Sequence, residues 1–458
     1  MAYRTHNCNE LTFDNLNEKV TLAGWVDTIR DHGGVAFIDL RDEHGVTQVV
    51  VNDDTLIYHL KKESVISVEG VVVKRDPETV NKKLATGELE VKVDKLTVLG
   101  ACTENLPFEV SESKETREDV RLTYRFLDLR NKAVHDNIIF RSNVISFLRQ
   151  KMTSLGFTEI TTPILTCSSP EGARDYIIPS RKHEGKFYAL PQAPQQFKQL
   201  LMVSGFDKYF QIAPCFRDED ARADRSPGEF YQLDFEMAFA TQEDVFAVAE
   251  DVLYDTFTKF GGGKKVSPAP FVRIPYEEAM IKYGTDKPDL RNPLEIVDLT
   301  DFFADVEFKA FQGRPVRGIN VPGCAKQSKG WFEKMLKFAL EIGMKGLGYI
   351  EVLEDGSCKG PIDKFLPPEK KEELRSIFNF KTDDTLFFIC DTPKHVNDFA
   401  GQIRTELANR LDLIDKDRFE LCYITDFPMF ELDDDGKLAF THNPFSMPQG
   451  GMDALENQ

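Results

Sequence analysis

The charged residues best able to do chemistry in this sequence fall in one short stretch after Phe216. Its charged members are Arg217, Asp218, Glu219, Asp220, Arg222, Asp224 and Arg225. Guanidinium groups bind phosphate and carboxylate oxygens in a fixed two-pronged geometry. The stretch therefore predicts a site for a phosphate group and a small polar ligand. The alternative is a solvated charged loop, the usual fate of a charge run.

The segments on either side must position this loop. After it, apolar residues alternate with Gln232, Asp234 and Glu236; they are Tyr231, Leu233, Phe235, Met237 and Phe239. A period of two indicates a strand with one buried and one polar face. Residues 208–216 alternate in the same way, and Ser226–Gly228 lies between the two segments. We expect an antiparallel pair of strands joined by a long loop.

Several sequence blocks connect this hairpin to a known family. FRDED, RADR and EFYQLDFEM resemble the second signature motif of class II aminoacyl-tRNA synthetases, in the variant of the bacterial-type aspartyl-tRNA synthetases. Similar blocks follow the family's order at residues 124–130, 169–176, 192–200, 286–291 and 441–445. The resemblance implies a multidomain α+β homodimer. Its parts are an N-terminal OB-fold β-barrel, a class II antiparallel-sheet catalytic domain and an inserted α+β domain.

Size and composition limit the class of protein. A chain of 458 residues suggests two to four domains. Its net charge of −19 disfavours nonspecific nucleic-acid binding, so an RNA partner must meet local basic and aromatic patches. The eight cysteines are scattered without a C-x-x-C pair, which favours reduced thiols. The sequence shows neither a membrane-length apolar run nor a secretion signal, and we predict a cytoplasmic protein.

Residues 1–105 are predicted to form the OB-fold barrel. Their β-rich runs are 20–26, 35–40, 47–51, 64–73 and 89–99, and a helix fits around Leu56–Leu60. Such barrels bind single-stranded nucleic acid by stacking and by contacts to base edges. The resemblance implies that Arg30, His32, Phe37 and Gln48 bind the tRNA anticodon. From the pattern alone, a core position is preferred for Phe37.

The middle of the chain is predicted to contain a hinge and most of the catalytic domain. Residues 106–135 are predominantly polar and favour a hinge leading into the next domain. Its basic residues are candidates for contact with the tRNA backbone, with a solvated linker as an equal alternative; they are Arg121, Arg125, Arg130 and Lys132. The first part of the catalytic domain covers 136–289. We expect it to begin with a helix over Asn137–Ser154 and a strand over Phe157–Leu165. A capping box at Thr241–Asp244 begins a later helix.

The remaining residues are predicted to form an insertion and a return to the catalytic domain. The inserted α+β domain covers 290–405. Its predicted strands are Val306–Phe311, Val316–Val321, Leu347–Val352 and Leu386–Cys390, and its predicted helices are Gly330–Ile342 and Lys394–Leu411. The catalytic domain returns over 406–458, with strands in Tyr423–Phe430 and Leu438–Phe445.

The resemblance implies a two-step reaction. Aspartate attacks the α-phosphate of ATP, giving aspartyl-adenylate and pyrophosphate, and a 3′-terminal ribose hydroxyl of tRNA then takes the aspartyl group. Arg217 is the expected clamp on the α-phosphate and the aspartate carboxylate, and Glu219 is expected to meet the adenine or the tRNA end. The implied ATP-binding residues are Arg217, Asp218, Glu219, Arg225 and Ser226. Many family members have Gln at the position of Ser226.

A cation must distinguish aspartate from asparagine, because the two amino acids have nearly the same shape. Lys198 is the candidate, supported by His442. The resemblance implies that Glu171, Gln195 and Asp234 orient Lys198 and hold the substrate ammonium. Without the resemblance, a surface charge is preferred for Lys198 and a structural histidine for His442.

Three further expectations concern the tRNA, the metal and the C-terminus. His32 matches family members that charge both tRNA(Asp) and tRNA(Asn), whereas selective bacterial members tend to have Leu there. The resemblance implies Mg²⁺, but its carboxylate ligands and an ATP-binding Arg belong to a third motif that has no match here. We therefore assign no metal ligand and expect a C-terminally truncated chain with little catalytic activity. The rivals are a relative specific for asparagine or lysine, a free-standing amino-acid-adenylating paralogue, and an RNA-binding or regulatory protein with an inactive synthetase domain.

Overall fold

The computed structural model describes residues 3–53, 57–169, 173–219, 228–432, 436–441 and 451–457. Of the predicted site residues, four lie outside these ranges; they are Glu171, Arg225, Ser226 and His442. The chain divides into two compact units, residues 1–138 and 139–458. No helix in the described part is long and apolar enough to cross a membrane.

The first unit contains a closed barrel of five strands. They are β1 (Lys19–Asp31), β2 (Ala36–Arg41), β3 (Val46–Val51), β4 (Val65–Lys74) and β5 (Leu89–Gly100), in the order β1-β2-β3-β5-β4. Buried and less buried residues alternate along β4, and the barrel interior is filled by side chains such as Leu22, Ile38 and Val68. The predicted barrel is confirmed.

The helix predicted around residues 56–60 is wrong over the described residues 57–60. These residues form a turn, in which the Leu60 N–H donates to the Ile57 carbonyl at 2.8 Å. The chain then bends back to the barrel at Glu63, which has a positive φ of 64°. The Glu63 N–H donates to the Val26 carbonyl at 2.7 Å, so there is no room for further helical turns.

The segment after the barrel is folded into short helices. It contains the short helices α1 (Glu118–Thr123) and α2 (Arg125–Asp128). The fully buried carboxylate of Asp128 accepts hydrogen bonds from Arg121, at 2.9 Å to Nε, and from Arg125. Burial alone would raise the pKa of Asp128, but the hydrogen bond from Arg121 and the charges of Arg121 and Arg125 help to outweigh it and hold that pKa below its usual value.

A small sheet positions the predicted hairpin in the second unit. Helix α3 spans Lys132–Ser154 and so begins five residues before the predicted start at Asn137. Strand β6 (Thr158–Glu159) covers only two residues of the strand predicted over Phe157–Leu165. Further along, the Thr162 N–H donates to the Gln211 side chain at 3.2 Å instead of to a neighbouring strand, and Pro163 has no N–H to donate.

The predicted antiparallel hairpin itself is confirmed. The elements in this region are β7 (Ile177–Pro179), β8 (Phe187–Ala189), α4 (Gln195–Val203), β9 (Lys208–Phe216), β10 (Glu229–Met237) and α5 (Gln242–Phe260). β10 pairs with β9 along its whole length, from Glu229 opposite Phe216 to Met237 opposite Lys208, and β6 lies on the other side of β9. The capping box at the start of α5 is also confirmed, because Thr241 and Asp244 bond reciprocally.

Two parallel strand pairs bring the later part of the chain back to this region. The first elements are β11 (Lys265–Val266), β12 (Val272–Pro275) and α6 (Tyr276–Lys282). β11 pairs with β18 (Arg418–Phe419), and β12 pairs with β19 (Cys422–Thr425). The chain then continues through β20 (Phe430–Leu432), β21 (Leu438–Phe440) and α11 (Gly451–Asn457). The residues between β12 and β18 therefore form one long insertion that begins and ends near the same place in the fold.

That insertion is built on a five-stranded sheet. Its elements are β13 (Val297–Asp298), α7 (Thr300–Ala304), β14 (Val316–Val321), α8 (Lys329–Glu341), β15 (Gly348–Val352), β16 (Cys358–Lys359), α9 (Pro368–Phe378), β17 (Thr385–Cys390) and α10 (Val396–Arg410). The strand order is β13-β14-β17-β15-β16. On the central strand β17, Phe387 packs into one apolar core and Phe388 into another, so this strand is covered on both faces.

The strand predicted at Val306–Phe311 is wrong, because this segment forms turns. The rings of Phe303 and Phe311 pack edge to face at 4.9 Å, and Phe308 meets Phe311 at 4.7 Å. The alternating apolar residues therefore fill one core rather than one face of a strand. The other three predicted strands and both predicted helices of the insertion are present with boundaries shifted by at most two residues.

Candidate functional site

The centre of the candidate site is the ammonium group of Lys198. Helix α4 begins after Pro194, the carbonyl of which accepts the Lys198 N–H at 2.6 Å. From the first turn, the side chain reaches the polar face of β10, where Asp234 Oδ1 lies 2.9 Å and Glu236 Oε1 lies 3.0 Å from Nζ. Only 13% of the Lys198 side chain is exposed. The structure thus places a nearly buried cation between two carboxylates.

The protonation of Lys198 follows from two opposing effects. Burial favours the neutral amine, whereas the hydrogen bonds and charges of Asp234 and Glu236 favour the ammonium. The carboxylates prevail and raise the pKa of Lys198 above its ordinary value of 10.5. The residue therefore carries a full positive charge at neutral pH, as the recognition of a carboxylate requires.

Strand β9 forms the floor of the site. Gln211 lies opposite Asp234 and is almost fully buried, and its Nε2 donates to Thr162 Oγ1 at 3.0 Å. Tyr209 lies opposite Glu236 and is fully buried; burial, followed by the charge of Asp234, raises the pKa of its hydroxyl. The floor therefore stays uncharged at neutral pH. The rigid pairing of β9 with β10 fixes the positions of both carboxylates.

Arg217 follows β9 directly and lies on the same face of the sheet. Its guanidinium is 5.0 Å from the ring centre of Phe230, and Phe230 shares the polar face of β10 with Asp234. The Arg217 N–H donates to the Gly228 carbonyl at 2.8 Å, which holds the backbone in place. The buried Nε of Arg217 has no hydrogen-bond partner among the described residues. This donor is suited to an anionic ligand.

The other predicted residues are placed in different ways. Gln195 lies three positions before Lys198, on the same side of α4. Asp218 and Glu219 are exposed, and the backbone of Asp218 is held by Arg174, which accepts its N–H at 2.9 Å and donates from Nε to its carbonyl at 2.8 Å. The structure thus brings Lys198, Arg217 and Asp234 to one sheet face. The roles predicted for them stay predictions.

Sequence reasoning missed two residues that help to build the site. Glu236 was seen as polar but was given no role, although it lies on the same face as Asp234 by simple alternation. Gln192 is almost fully buried and exchanges hydrogen bonds with the backbone of Ala173, 3.1 Å to its N–H and 2.9 Å to its carbonyl. It also donates to Asp175. Gln192 begins the block 192–200 that resembles the family, but nothing in the sequence pairs it with Ala173 or Asp175.

A second polar surface lies on the outside of the barrel. Arg30 donates to both oxygens of Asp39, at 2.7 and 2.8 Å, and to Gln48 Oε1 at 3.1 Å. Gln48 Nε2 in turn donates to Glu90 Oε2 at 2.7 Å. The bonds to Asp39 raise the pKa of Arg30, and burial raises the pKa of Glu90. Asp39 and Glu90 were not predicted, because strand pairing alone brings them to Arg30 and Gln48.

Phe37 lies on this outer surface as well. Its neighbours Ala36 and Ile38 point into the barrel core, whereas Phe37 is half-buried on the opposite face. The preference for a core position was therefore wrong. His32 packs edge to face against Phe37, with ring centres 5.7 Å apart. The structure thus brings Arg30, His32, Phe37 and Gln48 to one side of the barrel, and their contact with an anticodon stays a prediction.

Comparison with known proteins identifies the family. A family model for class II tRNA synthetases (D, K and N) matches residues 117–458. The chain belongs to the class II tRNA synthetases. A second model, for the OB-fold nucleic-acid-binding domain, matches residues 20–99, which agrees with the closed barrel.

Curated class II tRNA synthetases resemble the chain along nearly its whole length. "Aspartate--tRNA(Asp/Asn) ligase" of Rickettsia bellii (strain OSU 85-389) is 55% identical over 99% of this chain and 77% of its own length. The ligase of the same name from Rickettsia canadensis (strain McKiel) is 54% identical over the same shares. The predicted resemblance is confirmed at the level of the family.

Solved structures agree with the fold. The asparaginyl-tRNA synthetase of Pyrococcus horikoshii, in complex with asparaginyl-adenylate, has a TM-score of 0.52 at 20% identity and covers 90% of this chain and 95% of its own. A putative aspartyl-tRNA synthetase from Leishmania major Friedlin has a TM-score of 0.53 at 19% identity, over 89% and 94%. The predicted combination of barrel, class II catalytic domain and further α+β structure is confirmed as a fold class.

Proposed function

We propose that this chain acts as an aspartate–tRNA ligase. L-Aspartate and ATP form aspartyl-adenylate and pyrophosphate, and the aspartyl group then passes to the 3′ end of tRNA. The observation that carries this proposal is the ammonium of Lys198, held between Asp234 and Glu236 with 13% of its side chain exposed. A fixed cation on a polar sheet face attracts the side-chain carboxylate of aspartate and offers nothing comparable to asparagine.

The proposed roles of the other residues follow from their positions. Arg217, whose Nε donor has no partner among the described residues, binds the α-phosphate and the aspartate α-carboxylate, and this neutralises charge that builds up on the phosphate. Asp234 and Gln195 lie beside Lys198 and hold the substrate ammonium. Exposed Glu219 faces the adenine or the tRNA end. Such a site works mainly by positioning its two substrates.

Class II synthetases use ATP together with Mg²⁺. In the described ranges, no three His, Cys, Asp or Glu side chains come together in a way that fits a metal ion. The two carboxylates nearest to Lys198 are already engaged with its ammonium. These residues therefore do not fit the ion as ligands, and we assign Mg²⁺ to none of them.

For the tRNA partner, we propose both tRNA(Asp) and tRNA(Asn). The barrel face formed by Arg30, Phe37 and Gln48 offers one aromatic ring and a chain of amide and guanidinium groups to unpaired bases. His32 packs against Phe37 at the edge of that face. The Rickettsia relatives, whose name includes both tRNAs, support the broader choice.

We further propose that the protein acts as a cytoplasmic homodimer. Apolar side chains are exposed on two long helices of the second unit, Ile139 and Phe140 on α3 and Val245 and Leu253 on α5. An exposed apolar patch of this kind is typical of a protein interface. Sedimentation of the purified chain tests the dimer.

The activity is tested by ATP–pyrophosphate exchange with aspartate, asparagine and lysine. Since the chain spans 77% of the Rickettsia bellii relative, the assay compares the 458-residue chain with the same chain joined to the residues of that relative that lie outside the matched span. Exchange that depends on aspartate alone is expected in the joined protein. Exchange with asparagine or lysine and not with aspartate would contradict the proposal.

The tRNA choice is tested separately with purified tRNA(Asp) and tRNA(Asn). The joined protein is expected to aspartylate both. Charging of tRNA(Asp) alone would refute the relaxed choice and leave aspartate activation unaffected. The matched variant His32→Leu is expected to reduce charging of tRNA(Asn) more than charging of tRNA(Asp).

A further inference from the structure

Gln232 lies in the middle of the polar face of β10 and has no role in the reaction proposed above. Alternate residues of a strand share a face, so Phe230 and Asp234 are its neighbours on that face. Opposite it, on β9, lies Ala213, which is small and buried. Gln232 itself is only half-buried. The strand thus presents an amide group between the two charged parts of the candidate site.

The groups on either side of Gln232 are those proposed to bind the two substrates. On one side, the Arg217 guanidinium lies 5.0 Å from the ring centre of Phe230. On the other side, Asp234 Oδ1 lies 2.9 Å from Lys198 Nζ. Phe230 and Asp234 are four residues apart, which is about 13 Å along a strand. A ligand that contacts both ends of this face must therefore lie across Gln232.

The amide of Gln232 is oriented by a buried thiol. Cys215 lies on β9 and is fully buried, and its Sγ donates to Gln232 Oε1 at 3.3 Å. The other acceptor of this thiol is the Ala213 carbonyl, which is farther away at 3.6 Å. With its carbonyl towards Cys215, the amide gives the S–H its closer acceptor. This contact favours one orientation of the amide, in which Nε2 is turned away from the thiol.

The amide nitrogen of Gln232 is open to a ligand. Nε2 donates to no acceptor in the part of the chain that the structure describes. It is also not one of the buried polar atoms that lack a partner, so solvent reaches it. An oriented donor that water can reach exchanges water for a ligand acceptor at little cost. Gln232 therefore offers two N–H donors at the centre of the site face.

We propose that Gln232 Nε2 binds the α-carboxylate of L-aspartate, a role that rests on the proposed function. The substrate ammonium lies at Asp234 and the α-phosphate of ATP lies at Arg217. The α-carboxylate is attached to the carbon that carries the ammonium, and it attacks the α-phosphate. It must therefore lie between Asp234 and Arg217, which is the position of Gln232. A hydrogen bond to an ionised acceptor is stronger than one between neutral groups.

The two oxygens of the α-carboxylate then have different tasks. One oxygen forms a bond to the α-phosphorus, and the bond from that phosphorus to the bridging oxygen breaks, so pyrophosphate leaves with the electron pair. Gln232 Nε2 donates to the other oxygen, which becomes the carbonyl oxygen of aspartyl-adenylate. Holding this oxygen turns the attacking one towards the phosphate, which is a positioning effect. The hydrogen bond persists in the product, because a carbonyl oxygen also accepts.

The first test replaces the donor. Gln232→Glu keeps the size of the side chain and puts a negative charge against the α-carboxylate. Calorimetric titration of the whole chain is expected to show L-aspartate affinity weakened about thirtyfold, with ATP affinity changed less than about twofold. Gln232→Met removes the donor without adding charge and is expected to weaken aspartate about tenfold. The control Gln312→Glu makes the same change at an exposed residue of the insertion and is expected to have no effect.

A modified ligand separates direct contact from a loosened fold. The α-amide of L-aspartate carries an NH₂ group in place of one α-carboxylate oxygen, and this group can donate to the new carboxylate of Gln232→Glu. The affinity ratio of L-aspartate to its α-amide is therefore expected to fall about tenfold in Gln232→Glu relative to the wild type. A variant that only disturbs the sheet would weaken both ligands by the same factor.

A pair of cysteine variants tests the orientation of the amide. Cys215→Ala removes the thiol that faces Gln232 Oε1 and is expected to weaken L-aspartate binding about fivefold. Cys215→Ser keeps a donor at the same place and is expected to stay within about twofold of the wild type. Equal losses in the two variants would overturn the orienting role of the thiol.

The outcomes also separate this role from the proposed function. The role of Gln232 is overturned if Gln232→Glu and Gln312→Glu bind L-aspartate equally, or if L-aspartate and its α-amide lose affinity by the same factor. Neither result touches the binding of aspartate by Lys198. A wild-type chain that binds no L-aspartate would overturn the proposed function and this role together.

Discussion

The two polar surfaces of this chain use the same ingredients, a cation between acceptors, in different surroundings. On the sheet, Lys198 lies between Asp234 and Glu236 with 13% of its side chain exposed. On the barrel, Arg30 lies between Asp39 and Gln48 with 42% of its side chain exposed. Water therefore screens the charges on the barrel, whereas it screens those on the sheet only weakly.

This difference determines what each surface can do. A nearly buried charge acts at high strength on any ligand that enters, and its partners also contribute to folding. An exposed ion pair contributes little to stability, so its groups can exchange partners with an incoming base at small cost. The sheet face is thus suited to one fixed substrate and the barrel face to a polymer that comes and goes.

The largest expected effect comes from removing the buried cation. Lys198→Met keeps the length of the side chain and removes its charge, and we expect L-aspartate binding to weaken about a hundredfold or more. Calorimetric titration of aspartate measures this effect, with ATP affinity expected to change less than about twofold. The control Lys337→Met removes a lysine whose side chain is 77% exposed. Equal aspartate affinities for the two variants would show that Lys198 does not bind the substrate.

A matched pair of acid-to-amide substitutions compares the two surfaces in stability. Asp234→Asn leaves the ammonium of Lys198 poorly paired in a nearly buried place, and we expect it to lower the free energy of unfolding by about 2 kcal/mol. Asp39→Asn breaks the half-exposed pair with Arg30 and is expected to cost less than about 1 kcal/mol. Urea unfolding of both variants measures the difference. A larger loss for Asp39→Asn would reverse the comparison.

Binding of tRNA tests the barrel surface. Arg30→Ala removes contacts to Asp39 and Gln48 and a group available to a base, and we expect affinity for tRNA(Asp) to fall about tenfold. Filter binding at fixed salt measures it. The control Lys95→Ala breaks another exposed pair of the same barrel, Lys95 with Glu69 at 2.8 Å. A similar loss of tRNA affinity in both variants would show that Arg30 acts only through its positive charge and makes no specific contact.

The smallest expected effect is a difference in alkaline pH dependence. The folded-state pKa of Lys198 is raised above 10.5 and that of Tyr209 above 10.0. Because both pKa values are raised on folding, the unfolded chain loses these protons first as the pH rises. The contribution of the two groups to the free energy of unfolding is therefore complete below about pH 10 and is lost as the pH rises through the folded-state pKa values. Arg30 stays charged in this range. Between pH 9 and 11, the free energy of unfolding measured with urea should fall less steeply with pH for Tyr209→Phe than for the wild type. An unchanged slope would show that Tyr209 does not cause this pH dependence.

Local patterns were sufficient to predict the hairpin of β9 and β10. Its alternation was strict, and the observed pairing places Asp234 opposite Gln211 on the polar face. The capping box of Thr241 was likewise readable from four consecutive residues. In both cases, the residues that decide the structure are close in the sequence, and period and spacing are sufficient.

Contacts between distant residues could not be predicted in this way. The sequence gives no sign that Glu90 meets Gln48, because only the closing of the barrel brings β5 next to β3. Alternation also misled where packing in three dimensions prevailed, as when Phe308 and Phe311 joined an aromatic core instead of a strand. The position of Phe37 depended on which alternate residues of β2 point into the barrel. The sequence of a single strand does not determine this.

The central strand of the inserted sheet raises a problem of register. Thr385 to Ile389 of β17 are buried on both faces, so a slip by one residue would exchange apolar neighbours for other apolar neighbours. Asp384 immediately precedes the strand and is almost fully buried, and it accepts hydrogen bonds from Asn320 Nδ2 at 2.9 Å and from the Lys381 N–H at 3.1 Å. A slipped strand would separate this carboxylate from its donors, at a cost of several kcal/mol. Asp384 therefore fixes the register of β17 during folding, which the hydrophobic residues of the strand cannot do.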